Sequence, residues 1–266
     1  MPITPAHPAL AIHFRKIGLP LSALVIGSMI PDFEFFIRFS PSRFIGHSFA
    51  GVFLFCLPVG LATLWLFHRV VKEPAIALLP HAWGKKLHSE RAYFTFRPTA
   101  RFLRILLALF IGTLTHLGWD AFTHPGSSVV RLFPLLSKPI FYFMEKPVPC
   151  YFFLQYLSSA LAILLLIVWV RKWASQISGK PRSHAIFSRG WKTSIHVTMG
   201  TLCLLGGILL GIQADAAAGQ QSDSATVFIS HASVGMVSFF LLILFLFSLV
   251  WHLGLKKVIR SSSESF

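Results

Sequence analysis

The sequence predicts an all-α, polytopic membrane protein with five transmembrane helices and an N-terminal re-entrant helical hairpin. Three observations point there. Of the 266 residues, 55% are hydrophobic and only 12% charged, against about 25% charged in an ordinary soluble domain. Five apolar stretches, at roughly 48–67, 102–119, 151–170, 195–213 and 233–254, approach or reach the twenty or so residues that cross a bilayer. Lysine and arginine also alternate between successive loops, as the positive-inside rule requires.

The N-terminus lacks a basic start followed by an apolar core and a small-residue cleavage site, so no cleavable signal peptide is expected. Residues 7–14 can open a short helix, with Pro8 in its first turn. Gly18-Leu19-Pro20 breaks it, and Leu21 to Ile30 forms a second short helix closed by Pro31. A continuous helix over residues 8–30 would put His7 and Asp32 on opposite sides of the membrane; two short legs bring them to one level. The first span begins at His47, and the second runs from Phe102 to Asp120, ending in the turn Thr123-His124-Pro125-Gly126. Three further spans follow. Gly200, Gly206, Gly207 and Gly211 in the fourth allow close helix approach. Residues 214–226 read as a flexible external loop. The chain divides into a membrane domain over residues 1–149 that carries the polar motifs, and a three-span bundle over 150–266.

The net charge of +15 is distributed as a topology signal. The loop 68–101, with Arg104, carries eight Lys and Arg, the loop 171–193 six and the tail after Trp251 three, while 214–232 carries none and 120–149 three. This puts 68–101, 171–193 and the C-terminus in the cytoplasm, and 31–47, 120–149 and 214–232 outside. The expected partner of the basic loops is anionic membrane lipid, not nucleic acid. Cys56, Cys150 and Cys203 lack metal-type spacing and read as packing residues. Trp65, Trp119, Trp169, Trp173, Trp191 and Trp251 lie near span ends, as an interfacial belt would.

Against this apolar background stand Ala6-His7-Pro8, Pro31-Asp32-Phe33-Glu34, Gly46-His47-Ser48 and Thr115-His116-Leu117-Gly118-Trp119-Asp120. The chain has only nine Asp and Glu, and three of them lie in these motifs. Ionisable groups at membrane depth are costly and mark function by default. His116 and Asp120 stand at i and i+4 on one helix face. The charge rule, which makes no use of the motifs, puts Asp32, Glu34, His47, His116, Asp120 and His124 at one membrane face, and the hairpin adds His7. Imidazoles with carboxylates suit a divalent Zn, Mn or Fe better than Mg or Ca. The expected ligands are Asp32, His47, His116 and Asp120, with His7 as a fifth; Glu34 is a further ligand or a catalytic general base. His231 lies on the same side at the start of the fifth span. Metalloprotease, nucleophile-elbow and Walker-type motifs are absent from the sequence.

In the order Ala-His-Pro-Ala (6–9), Val-Ile-Gly-Ser-Met-Ile-Pro-Asp-Phe-Glu-Phe-Phe (25–36), Gly-His-Ser (46–48) and Gly-Thr-Leu-Thr-His-Leu-Gly-Trp-Asp-Ala-Phe-Thr-His-Pro-Gly (112–126), the chain resembles a bacterial membrane family catalogued as domain of unknown function 4184. It is more distantly similar to LexA-binding, inner-membrane-associated metal-dependent hydrolases. That likeness falls on His7, Asp32 with Glu34, His47, and His116 with Asp120. Glu34 replaces a second Asp of that pattern, and Ser42 stands about where it has a further His. The resemblance implies a metal-dependent hydrolase of the bacterial inner membrane. The site's outward position suggests a phospholipid or lipid-linked phosphate. A metal-ion or proton-coupled transporter would want its polar residues near mid-membrane and continuing inward; here they stop at the outer end. A scaffold tied by His–Asp pairs is the third reading.

Overall fold

The structure, a computed structural model, describes residues 3–80, 83, 87, 94–143, 145–176, 187–218 and 223–255. It is mostly helical, and five helices are long and apolar enough to cross a membrane: Phe49–Leu78, Thr99–Leu132, Cys150–Gln176, Arg189–Ala218 and Ser224–Gly254. The described chain forms two compact units. One comprises Met1–Glu34, Arg43–Leu64 and Phe96–Trp173, the other Phe35–Ser42, Trp65–Thr95 and Ala174–Phe266.

The first unit opens with the predicted hairpin. Helix α1 (Pro8–Ala11) continues as a 3-10 helix over Ile12–Ile17, and α2 follows over Leu21–Met29. Between them Gly18 takes φ +82° and closes the first leg by donating its N–H to the Arg15 carbonyl. A side chain there would sit in the left-handed region, so Gly18→Ala should destabilise the protein by about 1 kcal/mol. A denaturation midpoint unchanged from wild type would show that the turn does not hold the hairpin. A 3-10 turn (Ile30–Asp32) then leads into α3 (Phe33–Arg38).

Helix α4 (Phe49–Leu78) is capped by Ser48, whose hydroxyl accepts the Gly51 N–H at 2.9 Å. Residues 68–78, read from sequence as loop, are instead helical. A π turn at Phe67–Val71 shifts the hydrogen-bond register just ahead of Pro74, so the proline falls at the start of a fresh α segment, where its missing N–H is tolerated.

Helix α5 (Thr99–Thr123) crosses α2 closely. A Cβ on Gly112 would lie 2.6 Å from the Leu24 carbonyl oxygen and 2.7 Å from the Ser28 nitrogen, and one on Gly27 would strike the Leu109 carbonyl. The Thr113 hydroxyl fixes the crossing by donating to the carbonyls of Gly27 and Leu109, at 3.2 and 2.9 Å. This is small-residue packing of the kind that brings backbones together in lipid. After α6 (Ser128–Leu132) comes a two-stranded antiparallel ribbon, β1 (Pro139–Phe143) with β2 (Lys146–Pro149), the one departure from the all-helical expectation among the described residues. Helix α7 (Cys150–Gln176) completes the unit, with Ala162, Ile163 and Leu166 packed around Ala6, Ala9 and Trp119.

The second unit is built on α8 (Arg189–Ala218) and α9 (Ser224–Val250). Gly206, Gly207 and Gly211 face Phe239, Met236 and Phe228, as a small-residue interface should. The loop expected over 214–226 is mostly helix: α8 runs to Ala218 and α9 begins at Ser224. Ala214, Ala216, Ala217 and Ala218 explain the extension, since alanine has the highest helix propensity; positions 219–222 lie outside the described residues. Trp251 is fully buried among Ala77, Leu78, Phe187 and Met199, so it is a core residue and not part of an interfacial belt.

Candidate metal centre

All the candidate residues lie in the first unit. Asp32 ends the 3-10 turn after α2, His47 sits in the loop before α4, and His116 and Asp120 occupy one face of α5. All four side chains are almost wholly buried, from 0% exposure at His116 to 8% at His47. His47 Nε2 lies 3.3 Å from Asp32 Oδ1 and 3.5 Å from Asp120 Oδ2. His116 Nε2 lies 3.5 Å from the same Asp32 oxygen and 3.6 Å from the same Asp120 oxygen. These separations are long for hydrogen bonds. They suit neighbouring donors on one ion: two ligands about 2.0–2.1 Å from a tetrahedral zinc stand about 3.3–3.4 Å apart. Asp32 with His47 and His116 forms one candidate ligand trio, and His7 with His116 and Asp120 another.

The far atom is anchored in three of the four ligands; at Asp120 it is the converging Oδ2 that accepts from Arg43. His116 Nδ1 lies 2.8 Å from the Ser28 carbonyl, which can only accept, so this nitrogen carries the proton and the lone pair of a neutral ring is at Nε2. His47 Nδ1 donates to Glu34 Oε1 at 3.1 Å, which leaves its Nε2 facing the two aspartates. The Thr4 hydroxyl donates to Asp32 Oδ2 at 2.6 Å, leaving Oδ1 toward the histidines. Meanwhile Asp32 Oδ1, His116 Nε2 and Asp120 Oδ1 are buried without a hydrogen-bond partner among the described residues. Buried polar atoms are rarely left so. At Asp32 and His116 the far atom is anchored and the near atom converges unsatisfied, the arrangement of an ion's ligands and the groups that orient them. The residues fit a divalent metal.

Glu34, expected as a further ligand or a general base, is held by the loop before α4. Its two oxygens accept the backbone N–H groups of Phe44, Ile45 and Gly46, at 3.2, 2.9 and 2.9 Å, as well as His47 Nδ1. Burial opposes ionisation, but these four donors outweigh it and hold the carboxyl below its ordinary range. A carboxylate so engaged orients the 44–47 loop and the His47 ring. Gly46 permits the wrap, since a Cβ there would approach the Pro31 carbonyl oxygen to 2.6 Å. For Asp32, burial is likewise outweighed, first by His116, then by His47 and Thr4, and the carboxyl is held well below its usual range.

His7 does reach the cluster. It stacks on His116 with ring centroids 3.9 Å apart, and its Nε2 is 3.8 Å from Asp120 Oδ1. Burial and the adjacent His116 lower its pKa to about 3, against the opposing pull of Asp120 and Asp32, so its ring is neutral. It borders the cluster on the Asp120 side, with Trp119 against its other edge. Trp119, read as part of the interfacial belt, walls the site and donates to the Ser158 hydroxyl at 3.1 Å.

Three residues outside the expected ligand set join the cluster. Thr4 holds Asp32. His124 Nδ1 lies 3.4 Å from Asp120 Oδ1; its i+4 spacing from Asp120, which itself follows His116 by four, was a legible signal. Arg43 Nη2 contacts Asp120 Oδ2 at 2.8 Å, and nothing in its local sequence announces this. His231 belongs to the second unit, where its Nδ1 faces the Val227 carbonyl of its own helix at 3.0 Å.

No curated protein and no solved structure matches the chain. The likeness to LexA-binding hydrolases therefore gains no named relative. The family described as Domain of unknown function (DUF4184) matches over residues 1–249, nearly the whole length, and the chain belongs to that family.

Proposed function

We propose that this protein is a membrane-embedded, metal-dependent hydrolase acting at the outer face of the bacterial inner membrane. The convergence of Asp32 Oδ1, His47 Nε2, His116 Nε2 and Asp120 Oδ2, each at 3.3–3.6 Å from its neighbours, carries the reading. Zinc is the favoured ion, with manganese or iron as the other fits to imidazole–carboxylate donors. When bound, such an ion polarises a scissile oxygen and brings the pKa of water toward neutrality.

The chain's own residues do the rest. Asp32, His47, His116 and Asp120 hold the ion, and His7 stands beside them as a further ligand or as wall. Ser28, Thr4 and Glu34 fix the orientation of three of those ligands. Arg43 is 41% exposed while the Asp120 carboxylate it touches is 5% exposed, so it links the buried centre to the surface. With an ion neutralised by Asp32 and Asp120, the guanidinium keeps its positive charge at the entrance. That favours an anionic substrate group, and guanidinium geometry matches phosphate. A phospholipid or lipid-linked phosphate is the substrate class this supports. The outward orientation rests on the charge of the loops. Cysteine labelling from outside by an impermeant reagent should reach position 220 and not position 85; the opposite pattern would turn the site inward.

The enzymatic test is hydrolysis of phosphate monoesters and diesters, water-soluble and lipid-borne, by the zinc-loaded protein in vesicles. Turnover should vanish with chelator, return with zinc and be lost in Asp120→Asn. A zinc-loaded protein that hydrolyses none of these but passes zinc across the vesicle membrane would make it a transporter. Glu34→Gln separates the two roles of that residue. As an orienting group its loss should weaken metal affinity about 10–100-fold; unchanged affinity with lost turnover would make it the general base instead.

A further inference from the structure

In the ribbon between α6 and α7, β1 is apolar and exposed on both faces, while β2 is exposed at Lys146 and Pro147 and half-buried at Val148 and Pro149. In β1, Ile140, Phe141, Tyr142 and Phe143 are 53%, 43%, 69% and 64% exposed. Successive strand residues point to opposite faces, so both faces of β1 are exposed. The segment leading into it is similar: Leu132, Phe133 and Leu135 are all exposed. An isolated two-stranded ribbon is marginal in water, and one with large apolar groups on both faces needs apolar surroundings.

Two contacts fix where those surroundings lie. The Cys150 N–H at the start of α7 donates to the Lys138 carbonyl at 2.9 Å, tying the base of the ribbon to the end of a membrane span. Phe141 meets Phe153 of α7 edge-on at 6.1 Å, and Phe152 meets Tyr156 at 4.8 Å, so the ribbon extends the aromatic collar of that helix end. Arg131 and Lys138 precede it and Lys146 opens β2, against Glu145 alone in the turn between the strands. Aromatic groups with a basic fringe at the end of a span are the composition of a surface element seated at the headgroup–acyl boundary.

We infer that the ribbon Pro139–Pro149 is a membrane-dipping element, seated among anionic lipids of the leaflet in which α5 ends and α7 begins. It lies at the α5 end that carries Asp120, so it brings lipid headgroups to the level of the polar cluster. This holds whether or not the cluster binds metal. The basic fringe favours a lipid surface over a second copy of the chain, which would present the same positive charge.

The test places a cysteine-linked, environment-sensitive fluorophore at position 142 (Tyr142→Cys) of the full chain, with Cys56, Cys150 and Cys203 replaced. The protein is reconstituted in vesicles of phosphatidylglycerol and phosphatidylcholine carrying bromine near the top of the acyl chains. Emission should be blue-shifted, largely quenched by the bromolipid and insensitive to aqueous iodide. Quenching should be stronger in phosphatidylglycerol than in phosphatidylcholine alone, and the charge reversal Lys138→Glu with Lys146→Glu should remove that difference. Iodide-quenched, water-like emission would overturn the inference. So would protection that appears only at high protein density with energy transfer between labelled copies, which would make the ribbon a contact between chains. Quenching indifferent to lipid charge and to the reversal would refute the anionic preference.

Discussion

Replacing His116 by alanine should abolish stabilisation of the protein by zinc. Wild type, with zinc at a hundred times its dissociation constant, should gain about 2.7 kcal/mol against unfolding. His116→Ala removes the one donor shared by both candidate trios. It also leaves the carboxylates of Asp32 and Asp120 at the site without the ring that lies 3.5–3.6 Å from each. The variant should show no zinc-dependent rise in melting temperature and a lower baseline, since removing one partner from a buried charged cluster costs about 3–5 kcal/mol. A variant that folds and is still stabilised by zinc as wild type is would remove His116 from the ligand set.

The second large effect is expected at a residue that carries no chemistry. Gly112→Ala places a Cβ against the backbone of α2, at Leu24 and Ser28, where no flexible side chain can give way. Helix α2 must shift, and it carries the Ser28 carbonyl that orients His116 and leads directly into Asp32. The overpacking should cost about 1–3 kcal/mol. Zinc affinity should fall roughly tenfold or more, about 1.4 kcal/mol, although every donor is intact. Gly118→Ala is the control on the same helix. Its Cβ would meet nothing within 4 Å, so the change should be neutral or gain about 0.5–1 kcal/mol from helix propensity. Equal behaviour of the two variants would show that the α2–α5 crossing does not set the ligand geometry.

The parts legible in the sequence are those written locally. The Gly18-Leu19-Pro20 break announces the hairpin because glycine's left-handed conformation and proline's missing donor act on their immediate neighbours. The four-residue spacing of His116 and Asp120 puts them on one face, and continues to His124 by the same rule. The five spans follow from length and hydropathy alone. What was not legible depends on contacts between distant segments. The four donors that the 44–47 loop supplies to Glu34 come only when that loop closes over the carboxylate. Thr4 and Arg43 are common residue types, and only the fold brings them to Asp32 and Asp120. Gly27 and Gly112 lie on separate helices, and neither has another glycine four residues away, so no spacing motif marks their crossing. The ribbon was hidden by Pro139, Pro147 and Pro149, which argue against a strand inside a sheet; with only two strands, each is an edge and prolines are tolerated.

The central claim is that the buried His and Asp groups are metal ligands and not a structural polar knot. Metal content of the protein extracted from its membrane without chelator, measured by elemental analysis beside His116→Ala and Asp32→Asn, tests it most directly. Zinc, manganese or iron present at one or more ions per chain in wild type, and lost from both variants while they remain folded, is the predicted result. A folded wild-type protein that carries none of these metals and takes up none on dialysis against them would contradict it.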